Sequence, residues 1–251
     1  MLGISCPPLC YFQVEKVIGK IAENFRLWEI VAEHQHHPSK ALQSLKLHLP
    51  SYSLKMQVHA PLSDINIASI SEAVRKASIA EIKEAILFAR QIDAPVVTIH
   101  PGHKSPMTAE HEEIVYALTS EATREIAEYG EEMGVKIAVE NMPEMNNVIC
   151  KSPHTLLQIV KDSGAGICFD IGHANTTGNI EEFFELKELF LNVHFHDNNG
   201  KEDSHSTVGE GTIKFKKLCN RFGRYKGNII IEARSIESAV KSKRILASMG
   251  Y

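Results

Sequence analysis

Thiols are few in this 251-residue chain, and they are badly spaced for bridging. The five cysteines (Cys6, Cys10, Cys150, Cys168, Cys219) are odd in number and form no Cys-x-x-Cys pair. That pattern excludes a disulfide framework or thiolate zinc knuckle and predicts a reducing, cytoplasmic setting. Basic charge is not in excess either: 27 Lys and Arg against 31 Asp and Glu leave a net charge of −4, which rules out a strongly basic nucleic-acid glove. No apolar run approaches ~18 residues, so no membrane span or membrane partner is expected. Met1 to Phe12 lacks a basic lead-in and breaks at Pro7-Pro8, which speaks against a signal peptide. Aromatics are sparse at 7% with a single tryptophan, so single strands find no stacking platform; Trp28, on an early strand, is expected in the core. No Gly-x-Gly-x-x-Gly turn follows the first strand, and this counts against a doubly wound open sheet.

What the chain has is ordinary globular composition, 43% hydrophobic and 23% charged, and an excess of histidine. Its thirteen histidines exceed the ~2% of ordinary usage, and several end apolar runs. Eight β-branched runs read as strands: Leu2–Cys6, Leu27–Val31, Leu54–His59, Val96–His100, Lys136–Glu140, Gly166–Asp170, Phe190–His196 and Asn228–Glu232. Helical patterns lie between them, such as Glu72–Ile92 with Val74, Ala77, Ala85 and Ala89 at near-helical spacing. Ser69 with Glu72 has capping-box spacing, and Ser152 before Pro153 matches an N-cap with proline in the first turn. Eight strands alternating with helices in this length is the element count of a (β/α)8 TIM barrel. The expectation is one such domain over residues 1–251, with an apolar barrel interior.

In that architecture, polar groups at the C-terminal ends of strands line the active-site mouth. Strands three to six end in His59, His100, Glu140 and Asp170, the eighth ends in Glu232, and His194 and His196 share one face of the seventh. A single polar strand end is ordinarily a loop anchor or helix cap. Six strands ending this way would crowd carboxylates and imidazoles at several kcal/mol per uncompensated charge unless cations neutralise them. Carboxylate and imidazole without thiolate suit zinc, manganese or iron. Two loops add to the set: His173 follows Asp170 by three residues, and Asp203-Ser204-His205 offers a two-ligand clamp beside the tight turn of Gly209-Glu210-Gly211.

The ordered series His59-Ala60-Pro61, His100-Pro101-Gly102, Glu140-Asn141, Asp170-Ile171-Gly172-His173, His194-Phe195-His196-Asp197, Asp203-Ser204-His205 and Glu232 resembles the xylose isomerase-like barrel superfamily. Trp28-Glu29-Ile30 also fits. Within the superfamily the ligand pattern is most similar to endonuclease IV, the family 2 apurinic/apyrimidinic endonucleases of DNA repair. The resemblance implies up to three zinc ions, with manganese or another divalent metal as substitute. His59 and His100 would hold the first, with Glu140 bridging to the second. Asp170, His194 and Glu232 would complete the second site, and His173, Asp203 and His205 would hold the third. Glu140, Glu232 and His194 stand as catalytic candidates, and His196 and Asn66 as substrate contacts.

The implied reaction is hydrolysis of a phosphodiester, in abasic-site DNA or another phosphoester, by water activated between cations ~3.5–4 Å apart. The alternative from the same superfamily is a one-metal sugar or sugar-phosphate isomerase or epimerase. It would use Glu140, Asp170, His194 and Glu232, with Glu140 and Glu232 as an acid/base pair on either side of the sugar. A binding barrel without turnover would predict broken ligand positions, and none is broken. Against DNA stand the loop Pro7 to Gln13, which has no Lys or Arg, and Leu62, where that family often carries an aromatic. His34 to Lys40 is expected to be a solvated polar loop, and Lys241, Lys243 and Arg244 a solvated helix face.

Overall fold

The computed structural model of the chain describes residues 1–223 and 225–250. Its strands are β1 (Leu2–Ser5), β2 (Leu27–Val31), β3 (Lys55–His59), β4 (Val96–Ile99), β5 (Lys136–Glu140), β6 (Gly166–Asp170), β7 (Phe190–Phe195) and β8 (Asn228–Glu232). Between and after them run α1 (Val14–Asn24), α2 (Pro38–His48), α3 (Glu72–Gln91), α4 (Glu112–Met133), α5 (Pro153–Val160), α6 (Ile171–Thr177), α7 (Ile180–Phe183), α8 (Phe215–Phe222) and α9 (Ile236–Ser248). Each strand pairs in parallel with the next, and β8 closes on β1 with Glu232 opposite Ser5. This is the (β/α)8 TIM barrel that the alternation of patterns predicts. Cys6, His100 and His196 lie just past the ends of β1, β4 and β7, where the ladder stops. Among the described residues, no helix is long and apolar enough to cross a membrane.

The main core lies between sheet and helices. One set of alternate strand residues, among them Ile4, Trp28, Ile30, Val58, Val97, Ile99, Val139, Phe169, Val193 and Ile231, joins the buried faces of the helices in one apolar cluster. Phe169 stacks on Phe183 and Phe190 at centroid distances of 5.1 and 4.8 Å, and each ring buried this way is worth ~1.5–3 kcal/mol. Trp28 is in the core as expected.

The other set faces the barrel axis, and here the expected apolar interior is corrected. Among the described residues Val96, Ala138 and Cys168 form one small apolar group there, with Leu27 and Ile230 also buried. Alongside them Glu29, Gln57, Thr98 and Asn192 are fully buried and bonded to one another. Gly3 leaves the backbone of β1 close to this axis: a Cβ there would fall 2.8 Å from side-chain atoms of Ile230 and Leu27.

Local signals were mixed. Ser152 caps α5 as expected, accepting from Thr155 N at 3.2 Å. Ser69 does not cap α3; the cap is Ser71, whose N–H bonds to the Ser69 hydroxyl. The opening turns of α3 stand clear of the barrel, so Val74 and Ala77 are exposed, and the buried face runs through Ile79, Ile82, Ala85, Ile86 and Ala89. Between His34 and Lys40, the expected solvated loop instead buries His36, edge-on to Trp28 at 5.4 Å, and begins α2 at Pro38.

Candidate metal centre

At the C-terminal mouth the candidate side chains fall into three lobes around Glu140. In the first, His59 Nε2 and His100 Nε2 lie 3.2 and 3.3 Å from Glu140 Oε2. The second surrounds His194 Nδ1, which is 3.1 Å from Glu140 Oε1, 3.4 Å from Glu232 Oε2 and 3.7 Å from Asp170 Oδ2. The third is built on Asp203, whose Oδ2 sits 3.0 Å from His205 Nε2 and 3.4 Å from His173 Nε2. Within each lobe one potential ligand atom per residue lies within 4.8 Å of all the others. Glu140 therefore turns one carboxylate oxygen to each of two lobes, the placement a bridging carboxylate needs.

The backbone sets these positions. Strands β3, β5, β6 and β8 end on a candidate ligand, so alternation aims each one inward over the mouth. Asp170 ends β6 and also caps α6, accepting from His173 N at 2.7 Å, which folds the imidazole back over the mouth. His59 Nδ1 bonds to Ala60 O at 2.8 Å and His173 Nδ1 to Asn141 O at 2.7 Å, so in both rings Nε2 is the nitrogen left for the site. Asn141 also clasps the Asp170 backbone through both ends of its amide.

Sequence reasoning gave no role to two carboxylates that organise the centre. Glu29 lies beneath His194, its Oε1 2.8 Å from Nε2, while Oε2 accepts from Asn192 and Gln57 at 2.6 and 3.2 Å. Asp197 is completely buried and accepts from the backbone N–H groups of Asn198, Gly209, Gly211 and Ile213 at 2.9 to 3.2 Å. It thereby ties the neck of the loop that presents Asp203 and His205. That neck is also paired across Asp197 and Ser206. The signals in the sequence were the position of Glu29 inside an apolar strand, the Asp197-Asn198 pair before the glycine turn, and the place of both residues in the resembling series.

Of the two proposed substrate contacts, Asn66 has a different occupation. Its side chain bonds to the backbone of Ala68 and to both N–H and C=O of His103, holding two loops together. His196 is buried against the third lobe.

The charges interlock. Burial pushes Glu140 upward, but His194, His100 and His59 around it hold it well below the carboxylate range. Burial opposes charge on His59, yet Glu140 lifts it to about 9. His173 is likewise raised, with Asp170 and Asp203 overcoming desolvation. Asp203 and Glu232 are lowered, since their histidine neighbours outweigh the cost of burial. Burial pushes the Cys168 thiol up, and its sulfur lies with Glu140 and His194 in a further group of potential ligand atoms.

The donors fit divalent cations. Asp170 Oδ2 and Asp203 Oδ1 are buried without hydrogen-bond partners, as are both ring nitrogens of His196. Buried orphans of this kind are rare unless an ion or water serves them. A set of imidazoles and carboxylates without thiolate matches zinc, manganese or iron.

A family model described as xylose isomerase-like TIM barrel matches residues 21–249. A crystal structure titled D-tagatose 3-epimerase-like protein is 40% identical, covers 99% of this chain and 96% of its own, and superposes with a TM-score of 0.93. An uncharacterised protein of Methanocaldococcus jannaschii is 42% identical over 90% of this chain and 81% of its own length. A probable endonuclease 4 of Thermoplasma volcanium is 29% identical over 64% of this chain and 62% of its own length.

Proposed function

The chain belongs to the xylose isomerase-like TIM barrel family, and from that membership we propose that it is a metal-dependent phosphoester hydrolase holding three divalent cations. The observation that carries this reading is the third lobe: His173, Asp203 and His205 converge beside a central lobe that is already complete. Proton abstraction from a sugar gives no reason to build a second set of ligands. When bound, the cations would neutralise phosphate oxygens and make a nearby water acidic.

The side chains divide the remaining work. His59 and His100 would hold the first cation with Glu140, and Glu140, Asp170, His194 and Glu232 would hold the second. Glu29 keeps the His194 ring turned so that Nδ1 faces this group. Asp197 fixes the approach of Asp203 and His205 to the third. Glu140, Asp170, His194 and Glu232 are buried, while His100, Asp203 and His205 are partly open to solvent, so a phosphoester would approach from their side. Abasic-site DNA or a smaller phosphoester would serve as substrate.

A second reading, a sugar or sugar-phosphate epimerase, is favoured by one observation. Glu140, Asp170, His194 and Glu232 form a complete one-cation set on their own, and the relative at 40% identity bears an epimerase-like title. Glu140 and Glu232, from β5 and β8, would then take and return the proton on opposite sides of the sugar. Metal content separates the two readings. After zinc and manganese are re-added, the hydrolase should hold about three cations per chain and the epimerase about one. His205→Ala should abolish phosphoester cleavage in the first case and leave sugar turnover nearly intact in the second. One cation per wild-type chain would overturn the hydrolase.

A further inference from the structure

One wall beside the mouth offers apolar surface instead of cation ligands. Resting on the hydrolase reading, we infer that a cavity next to His100 takes the organic group of the phosphoester. The substrate is then a small molecule carrying one apolar ring or a short branched chain, and DNA is not.

The cavity measures about 200 Å³ and has His100, a residue of the first lobe, in its lining. Leu62, Ile65 and Ile67 from the loop after β3 face Met142, Met145 and Val148 from the loop after β5 across it, and Gly102 and His103 after β4 complete the wall. Among the described residues, no Lys, Arg, Asp or Glu lines it. Burial pushes the His103 imidazole down, so that side is uncharged at neutral pH as well. A nucleic-acid strand is held chiefly by cationic side chains on its phosphates, and this wall supplies none. An apolar cavity of ~150 Å³ is enough to accept benzene, so one ring matches the space.

Hydrogen bonds across three loops hold the cavity open. The Asn66 side-chain carbonyl accepts from the N–H groups of Ala68 and His103 at 3.0 Å, and its amide donates to His103 O at 2.9 Å. Gly102 makes that clasp possible: its φ is +87°, and a Cβ there would fall 2.7 Å from Asn66 Oδ1 and 2.9 Å from Ala68 N. Lys104 N donates to Asn147 O at 2.7 Å, and His103 pairs with Val148, which joins the β4 loop to the β5 loop. On the far side Leu62 N–H donates to Glu33 at 2.6 Å. A site ordered in advance loses little freedom when its ligand enters.

The rim is apolar too. Met145 is 51% exposed and Leu62 half-buried, beside a centre otherwise built of imidazoles and carboxylates. Two methionines let the walls adapt to the outline of the occupant. With the phosphate oxygens on the cations shared by Glu140, the ester group on the His100 side lies against these walls.

The test is calorimetry on the zinc-loaded protein with methylphosphonate and phenylphosphonate, which share the cation-binding head and resist hydrolysis. Burying the ring should make phenylphosphonate bind ~10–100-fold more tightly. Leu62→Gln together with Met145→Gln keeps the side chains neutral and of similar length. It should cut that preference to about fivefold or less, with methylphosphonate affinity and zinc content unchanged. If the double variant does not fold, Met145→Gln alone, at an exposed position, should cut the preference about threefold. Equal binding of the two phosphonates, or a preference that the variants leave intact, would overturn the inference. Tighter binding of deoxyribose 5-phosphate than of phenylphosphonate would make this a sugar site and overturn it equally. Equal phosphonate binding with three cations per chain would sink this inference alone. One cation per chain with neither phosphonate bound would sink the hydrolase reading and this inference with it.

Discussion

Replacing Glu29 with glutamine tests whether the centre depends on a residue that touches no cation. Two amides donate to this carboxylate, Asn192 and Gln57 to Oε2, and Oε1 makes an ion-pair contact with His194 Nε2 at 2.8 Å. Glutamine has nearly the same shape but offers one acceptor oxygen and an NH2 group, so at least one donor would face another donor. In the metal-free protein that mismatch should cost about 1–3 kcal/mol. Glu29 also helps hold the His194 pKa well above its ordinary value there: burial pushes it down, and the carboxylates Glu29 and Glu140 are among the groups that more than reverse it. In the loaded protein the loss takes another form. The Nε2–H to Glu29 contact fixes which nitrogen faces the central lobe and raises its basicity, and removing such a partner typically weakens metal binding ~10–100-fold, or about 1.4–2.7 kcal/mol. Zinc affinity by chelator competition measures the second effect, and denaturant unfolding of the metal-free protein the first. A variant that binds zinc within threefold of the wild type would refute the orienting role of Glu29.

Asp197→Ala should remove the anchor of the Asp203 and His205 loop. Hydrogen bonds to a charged acceptor are worth about 1.5–3 kcal/mol each, so the loss of four should cost at least ~3 kcal/mol and one cation in metal counting, while the central lobe keeps its own; full retention of the third cation would contradict the anchoring. His36 predicts a pH effect away from the centre. Burial pushes its pKa down to about 4 against the opposing Phe12 backbone contact, so its contribution to stability is complete above pH ~6.5 and drains as the pH falls toward 4. Between pH 7.5 and 4.5 the wild type should lose about 2.5 kcal/mol more than His36→Gln, read from unfolding midpoints; parallel pH profiles would refute it.

The grouped candidate residues were legible as strand ends because a strand end is a strong local signal. Glu140 and Asp170 each close an apolar, β-branched run, so alternation and chain order alone put them on one rim. Their grouping into lobes was not legible, because it depends on distances across the barrel that no single strand records. His196 shows this well. Next to His194 on one face of β7 it looks like a spare ligand for the same cation, yet the rise along the strand carries it into the third lobe. His36 and Ser71 were missed for a related reason: a polar run gives no sign of which residue turns inward, and two serines near one helix start compete for the cap on backbone geometry alone. In α3 the near-helical spacing was real, but spacing cannot say that Val74 and Ala77 precede the part of the helix that meets the barrel.

The polar floor of the barrel follows from the site above it. Two residues upstream of a strand-end ligand, alternation places a side chain on the same inner face one layer lower. Beneath the imidazoles His59, His100 and His194 these residues are Gln57, Thr98 and Asn192; beneath the carboxylates Glu140, Asp170 and Glu232 they are Ala138, Cys168 and Ile230. The division has a physical source in Glu29. His194 carries a buried counter-charge beneath its ring, with Glu29 Oε1 2.8 Å from Nε2, and a buried carboxylate in turn needs donors. Gln57 and Asn192 provide them from β3 and β7, and Thr98 accepts a second bond from Asn192 at 3.1 Å. The carboxylate ligands have no second nitrogen to satisfy, so small or apolar residues suffice below β5, β6 and β8. A chain asked only for a stable barrel would fill this layer with branched aliphatics, so Gln57, Thr98 and Asn192 are there on account of one histidine at the end of β7.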